Sequence, residues 1–307
     1  MSTKIKTFFD TRTSTLTYLV YDAKTGDAVI IDPVLDYEPK SSKAWTQSVD
    51  EVIAFVRENN LKPRYILETH AHADHLSGSQ ILSIAFPDIQ LAIGEGITNV
   101  QETFKVVFDL PSDFPTDGRQ FDRLLKDNEV FKAGTLVIRA LATPGHTPAC
   151  MSFIIDVKLF AGDVILMPDS GSGRCDFPSG SADDMYNSVQ RLYNEIPDDM
   201  PVFIGHDYQP NGRELAYEST IGEQKPSNIA IDANRSREDF VAWRDKRDQS
   251  LDAPQLIFQS VQVNIDGGEL PAPHDNEIRY LKIPINAFRP PGASENPIRL
   301  INANTQS

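Results

Sequence analysis

The stretch Thr69–His75, reading THAHADH, decides the fold. Three of the chain's six histidines and one aspartate fall here, directly behind the apolar run Tyr65-Ile66-Leu67. Imidazoles and a carboxylate this crowded lose solvation and repel one another unless a cation uses them. The run before them is strand-like, and Leu76–Phe86 after them has helix-compatible apolar spacing. The cluster therefore belongs on a strand-to-helix loop, where side chains converge on one point. A solvated polar loop or a tag remnant is the competing reading, but the position is internal and its flanks are core-like. We read it as a metal site.

The bulk numbers are ordinary for a soluble globular protein. A chain of 307 residues with 40% hydrophobic and 24% charged residues can bury a substantial core. The net charge of −15 and pI near 4.8 disfavour a nucleic-acid partner held by phosphate contacts. They leave room for a local basic pocket around one small anion. Two cysteines, Cys150 and Cys175, are too few for a disulfide scaffold and suit a reducing compartment. The N-terminus lacks an apolar signal core, and no run reaches the length of a membrane span. A cytoplasmic protein is expected.

Outward from the motif, strands and helices alternate. Thr15–Tyr21 and Ala28–Ile31 read as a hairpin ended by Asp32-Pro33. Residues 48–59 carry Val49, Val52, Ile53 and Val56 on one helical face, with Ser48 as N-cap. Ser79–Ala85 reads as helix and Gln90–Ile93 as strand. Residues from about 95 to 128, with Pro111, Pro115 and Asp117-Gly118, read as a long loop. Strand signals resume at Thr135–Leu141, Met151–Asp156 and Leu159–Ala161. Ser181–Ile196 is the clearest helix, with Ser181 and Asp184 in a carboxylate variant of the capping box. Pro201–Gly205 is a strand feeding His206. Two such halves imply an α/β fold, a four-layer αββα sandwich with helices outside two packed mixed sheets. Residues 1–215 form the expected catalytic domain. Residues 216–307 read as an extension on the same domain or a neighbouring subunit, with a charged, largely solvent-facing helix at Arg237–Leu251 and an extended chain after Asp252.

Further candidates lie at strand ends. Thr143-Pro144-Gly145-His146 closes one strand, Phe160-Ala161-Gly162-Asp163 another, and Gly205-His206-Asp207-Tyr208 a third. The small glycine before Asp163 allows close backbone approach. Each is weak alone, since a lone histidine after a strand is more often structural. With H-x-H-x-D-H the set is specific. It resembles the metallo-β-lactamase superfamily over roughly residues 5–210. The resemblance implies one metal on His70, His72 and His146 and a second on Asp74, His75 and His206, with Asp163 bridging. Most such enzymes are di-zinc hydrolases.

A narrower resemblance covers nearly the whole chain. IDPVLDY, THAHADHLSGS, TPGHTPAC, FAGDVI and GRCDFPSG are similar to the persulfide dioxygenase branch. The insertion and the ending LPAPHDNEIRYLKIPINAF resemble β-lactamase-like proteins of bacterial sulfide-detoxification operons. This branch implies one Fe(II) per chain on His70, His146 and Asp163, a facial triad with open positions. Its substrates are glutathione persulfide and O2, and a homo-oligomer, dimer or tetramer, is expected. His72, Asp74, His75 and His206 would then orient the ligands by hydrogen bonds. The residues themselves leave occupancy open, because all seven positions of a dinuclear centre are present. Two Zn(II) in a glutathione thioesterase is the alternative.

Arg174 corresponds to the branch's glutathione-binding arginine, and a guanidinium suits a tripeptide anion. A surface pair with Asp176 competes with that role. Ser172 stands where several relatives have cysteine. Tyr208 is a candidate substrate contact or a core aromatic. Cys150 reads as a buried structural thiol, Cys175 as a residue beside the pocket, and His274 as a surface residue.

Overall fold

The computed structural model describes residues 3–285. In chain order the first half holds β1 (Thr3–Asp10), β2 (Thr15–Asp22), β3 (Asp27–Ile31), β4 (Val34–Glu38), β5 (Lys43–Trp45), α1 (Gln47–Glu58), β6 (Lys62–Leu67), β7 (Leu76–Ser77), α2 (Ser79–Ala85), β8 (Gln90–Gly94), α3 (Ile97–Val107) and β9 (Arg123–Leu125). The second holds β10 (Glu129–Ala133), β11 (Leu136–Ala142), β12 (Met151–Ile155), β13 (Lys158–Gly162), α4 (Ala182–Glu195), β14 (Pro201–Ile204) and β15 (Glu218–Thr220). α5 (Ile221–Ser227), α6 (Arg237–Asp248) and α7 (Ile257–Asn264) follow.

One six-stranded sheet runs β1-β2-β3-β6-β8-β9, the other β10-β11-β12-β13-β14-β15, and β5-β4-β7 form a small third. Side-chain alternation builds the layers. In β2 and β3, Leu19, Ala28 and Ile30 pack under α1, α2 and α3, while Tyr18, Val20, Val29 and Ile31 meet the second sheet. From that sheet Phe153, Ile155, Phe160 and Phe203 point inward. Leu159, Ala161 and Val202 point outward against Met185, Val189 and Leu192 of α4. Both faces of the central strands are buried, so they read as continuous apolar runs. This is the expected αββα sandwich, and the Ser181 cap is present, with its side chain accepting from the Asp184 N–H.

Several local expectations fail, each for a physical reason. β1 escaped the sequence reading because it is a half-exposed sheet edge whose Lys4 and Lys6 blunt the apolar signal. Ser48 does not cap α1: its Oγ and N–H both donate to Asp36, and the cap position is Thr46. The insertion at 95–128 is not a loop. It contains α3, which buries Ile97, Val100, Gln101 and Phe104 at helical spacing. The buried Gln101 amide donates to the carbonyl of Ile265 and accepts from Gly118, so polar residues carry packing that hydrophobic periodicity cannot show. α6 is largely solvent-facing as expected, with seven of its twelve residues exposed, but it buries Phe240, Arg244 and Asp248 on one face. The chain after Asp252 is not simply extended, because α7 lies within it. Residues 286–307, the end of the expected extension, lie outside the described residues. Among the described residues no helix is long and apolar enough to cross a membrane.

Candidate metal centre and its cleft

The site forms where strands of both sheets end. Asp32 follows β3, His70 to His75 follow β6, His146 follows β11, Asp163 follows β13 and His206 follows β14. The two sheets are tied together at this end. Leu16 N–H donates to Gly205 and Met151 N–H to Thr69 across the sheets, while Gly205 N–H donates to Gly162 within the second sheet. Two glycines permit the convergence. Gly162 has φ +56°, and a Cβ there would meet the Thr69 side chain at 2.9 Å. A Cβ on Gly205 would sit 2.6 Å from Asp163 Oδ1.

Five of the six histidines meet here, as expected, while His274 is exposed beside Tyr280. His146 Nε2 lies 3.7 Å and His70 Nε2 4.0 Å from Asp163 Oδ2, and His206 Nε2 lies 3.5 Å from Asp163 Oδ1. His206 Nε2 is also 3.3 Å from Asp74 Oδ2. Ligand atoms of His70, His146 and Asp163 form one group, and those of His72, Asp74 and His75 another, each within 4.8 Å. His72 stands between the groups, its ring 4.0 Å from that of His70 and 4.2 Å from that of His75.

The unsatisfied atoms test whether a cation fits. His70 Nε2, both ring nitrogens of His72, Asp74 Oδ2, His75 Nε2, Asp163 Oδ1 and His206 Nε2 are all buried without a hydrogen-bond partner. Buried polar atoms are normally satisfied, so seven orphans in one cluster call for a missing partner. Donors about 2.0–2.2 Å from a shared ion stand on the order of 3–3.5 Å apart, close to the separations seen. Meanwhile the far ring nitrogens of His70, His75, His146 and His206 are hydrogen-bonded, and that of His72 abuts a carboxylate. His70 Nδ1 pairs with Thr69 Oγ1 at 2.9 Å, His146 Nδ1 with the Arg174 carbonyl at 2.6 Å and His75 Nδ1 with the Leu76 carbonyl at 3.1 Å. His206 Nδ1 faces Thr15 Oγ1 at 3.3 Å, and His72 Nε2 lies 3.0 Å from Asp32 Oδ1. Each ring is thereby oriented with its other nitrogen toward the centre.

Electrostatics favour the ligand forms of His70, His75 and Asp74, whereas His72, against the effect of its burial, is pushed up to about 9 by Asp32. Burial, reinforced by the imidazole of His72, pushes His75 down to about 4, and burial with His72 and His146 pushes His70 well below its usual range. Both rings are neutral at pH 7, the form that binds metal. Burial works against the charge on Asp74, but His206, His75 and His72 hold it below the ordinary carboxylate range. Asp32 is likewise held low against burial by His72 and by the N–H and hydroxyl of Thr69. Glu68, buried beside Asp32, is pushed up.

The family model of the metallo-beta-lactamase superfamily matches residues 10–206. The chain belongs to that superfamily. It is 44% identical over 287 residues to Glyoxylase B2 of Dictyostelium discoideum, covering 93% of this chain and 98% of the relative. It is 29% identical over 266 residues to human mitochondrial persulfide dioxygenase ETHE1, covering 86% of this chain and 88% of that one. Among solved structures, ETHE1 from Myxococcus xanthus matches with a TM-score of 0.69 at 30% identity, covering 87% of this chain and all of that one. Family membership and the His/Asp groups together make this a metal-dependent enzyme of the superfamily.

A cleft of about 1110 Å³ opens onto the centre and is lined by Asp74, His146 and Asp163. Arg174 and Tyr208 line it too. The Arg174 guanidinium is closed on Asp176, with Nε and Nη2 donating at 2.6 and 2.7 Å, while Nη1 donates to the Asp252 carbonyl at 2.7 Å. Tyr208 is 57% exposed and stacked on His206, so it is no core aromatic. Ser172 lines the cleft, and Cys175 adjoins it, with Sγ 3.9 Å from the carbonyl of the cleft-lining Gly173, but is buried in the apolar layer under α4. Cys150 is buried, with burial pushing its thiol up to about 12.

Sequence reasoning missed Asn264. From α7 its Nδ2 donates to the carbonyls of His72 and His75, and its Oδ1 accepts from Ser77 N–H, all at 2.8 Å. No local signal marks it, because an asparagine acting on a loop almost two hundred residues away leaves no pattern in its own neighbourhood. Asp32 was legible only as a turn residue, and Glu68 not at all.

Proposed function

We propose that the chain is a non-haem iron(II) persulfide dioxygenase that oxidises glutathione persulfide with O2 to sulfite and glutathione. The observation that carries this reading is the His70–His146–Asp163 group, which reaches the large cleft through His146 and Asp163. Two imidazoles and one carboxylate are the donor set of non-haem iron oxygenases. The likeness to the ETHE1 proteins supports the same assignment. Iron, when bound, supplies the redox chemistry of O2 activation. The chain's own part is to hold and orient. Thr69 Oγ1 and the Arg174 carbonyl set the His70 and His146 rings, and Asp32 and Thr15 set His72 and His206. Arg174 and Tyr208 form part of the wall along which the thiol is seated. The reaction balances as persulfide, O2 and water giving glutathione and sulfite, the outer sulfur losing four electrons to O2.

A second reading is a di-zinc thioesterase or related hydrolase. The unpartnered atoms of His72, Asp74, His75 and His206 favour it, as does the likeness to Glyoxylase B2. Metal analysis of protein from iron-replete cells, with oxygen uptake on glutathione persulfide, separates the two. One iron with stoichiometric O2 consumption is expected. Two zinc ions and no oxygen uptake would refute the dioxygenase.

A further inference from the structure

Resting on the reading of a carboxylate-bearing persulfide substrate, we propose that Arg247 of α6, rather than Arg174, grips the substrate carboxylate at the mouth of the cleft. Among the described residues, five cationic side chains line this cleft: Arg12, Lys40, Arg174, Arg244 and Arg247. Three are already committed. Arg12 pairs with Asp10 and Asp36, Arg174 uses all three guanidinium nitrogens on Asp176 and the Asp252 carbonyl, and Arg244 is buried against Asp248. Arg247 is exposed, and among the described residues its guanidinium has no hydrogen-bond or ion-pair partner. Its planar fork is free to bind a carboxylate through two parallel hydrogen bonds.

Moving Arg174 onto a substrate would break a bidentate ion pair and strand Asp176, whereas Arg247 gives up only water. Lys40 is exposed and also without a partner, but an ammonium attracts an anion without orienting it. In a chain of net charge −15, a free local cation is what lets an anion approach at all. The volume of about 1110 Å³ exceeds the roughly 300–1,000 Å³ typical of small-ligand sites, leaving room for a tripeptide to reach from the metal centre to α6. Arg174 then serves as a positioning residue, locked in the cleft wall by Asp176.

The test uses iron-loaded protein and two non-reacting probes, S-methylglutathione and its diethyl ester, with binding measured by calorimetry. Wild type should bind the acid about tenfold or more tightly over the ester, the scale of one charge-assisted contact. Arg247→Met should bring that preference to about twofold at unchanged iron content, and raise KM for glutathione persulfide about tenfold while kcat changes little. Arg247→Lys should recover part of the preference, and Arg174→Met and Lys40→Met should keep most of it. The assignment is overturned if Arg247→Met keeps the full preference, if Arg174→Met or Lys40→Met abolishes it instead, or if wild type shows none. Protein that takes up no oxygen, yet loses the acid preference on Arg247→Met, refutes the dioxygenase reading and leaves the anion site standing.

Discussion

Replacing Asn264 by leucine keeps the number of side-chain heavy atoms and the branch at Cγ but deletes three hydrogen bonds, two to the metal-binding loop and one to Ser77 just after it. Asn264 is only 5% exposed, so water cannot readily replace them. Two carbonyls and one N–H are left buried and unpaired, each costing about 1–3 kcal/mol. Simple addition gives about 3–9 kcal/mol, and relaxation of the loop brings the expected loss to roughly 3–5 kcal/mol. The loop carries His72, Asp74 and His75, so part of the loss should appear as weaker metal binding, tenfold for each 1.4 kcal/mol or so. Urea unfolding of metal-free protein reads the first quantity, and competition with a chelator reads the second. Asn264→Asp extends the test. A buried carboxyl facing two carbonyls has a raised folded-state pKa, so this variant should lose stability as pH rises above about 4. A leucine variant within about 1 kcal/mol of wild type, with unchanged metal affinity, would refute the idea that α7 positions the loop.

His70→Ala and Asp163→Ala should each cut bound metal well below one ion per chain with the far-ultraviolet circular dichroism retained, as metal analysis would show, because each removes a ligand of the cleft-facing group. Cys150 and Cys175 are buried with raised pKa values, so neither should react with a thiol reagent in native protein at pH 8, and both should react after denaturation. Asp27 is held below the ordinary carboxylate range, because bonds from Arg64 and the Thr135 N–H outweigh its burial. Its contribution is therefore complete above its unfolded value of about 3.9 and disappears as pH falls through the lower folded value. Asp27→Asn should be less stable than wild type at pH 7, and the gap should close toward pH 2 in acid-unfolding curves.

The sequence by itself determined the layered architecture and which histidines and aspartates gather at the strand ends. Both rest on signals that are local in the chain: apolar runs such as Ala28–Ile31, the turn glycines, and H-x-H-x-D-H on one loop. A histidine or aspartate at a strand end is recognisable because the strand before it is. Interactions between distant segments left no such trace. α3 and α6 are held by buried Gln101, Arg244 and Asp248, whose polarity disguises the inward face. Asn264 supports THAHADH from α7, and Asp32 turns His72, yet neither adjoins the groups it serves. The arginines show the limit most directly. Arg174 and Arg247 are equal cations in sequence, and only packing decides that Asp176 occupies one while the other has no partner among the described residues. A side chain's chemistry is read from its type, but whether that chemistry is still available depends on its neighbours in space.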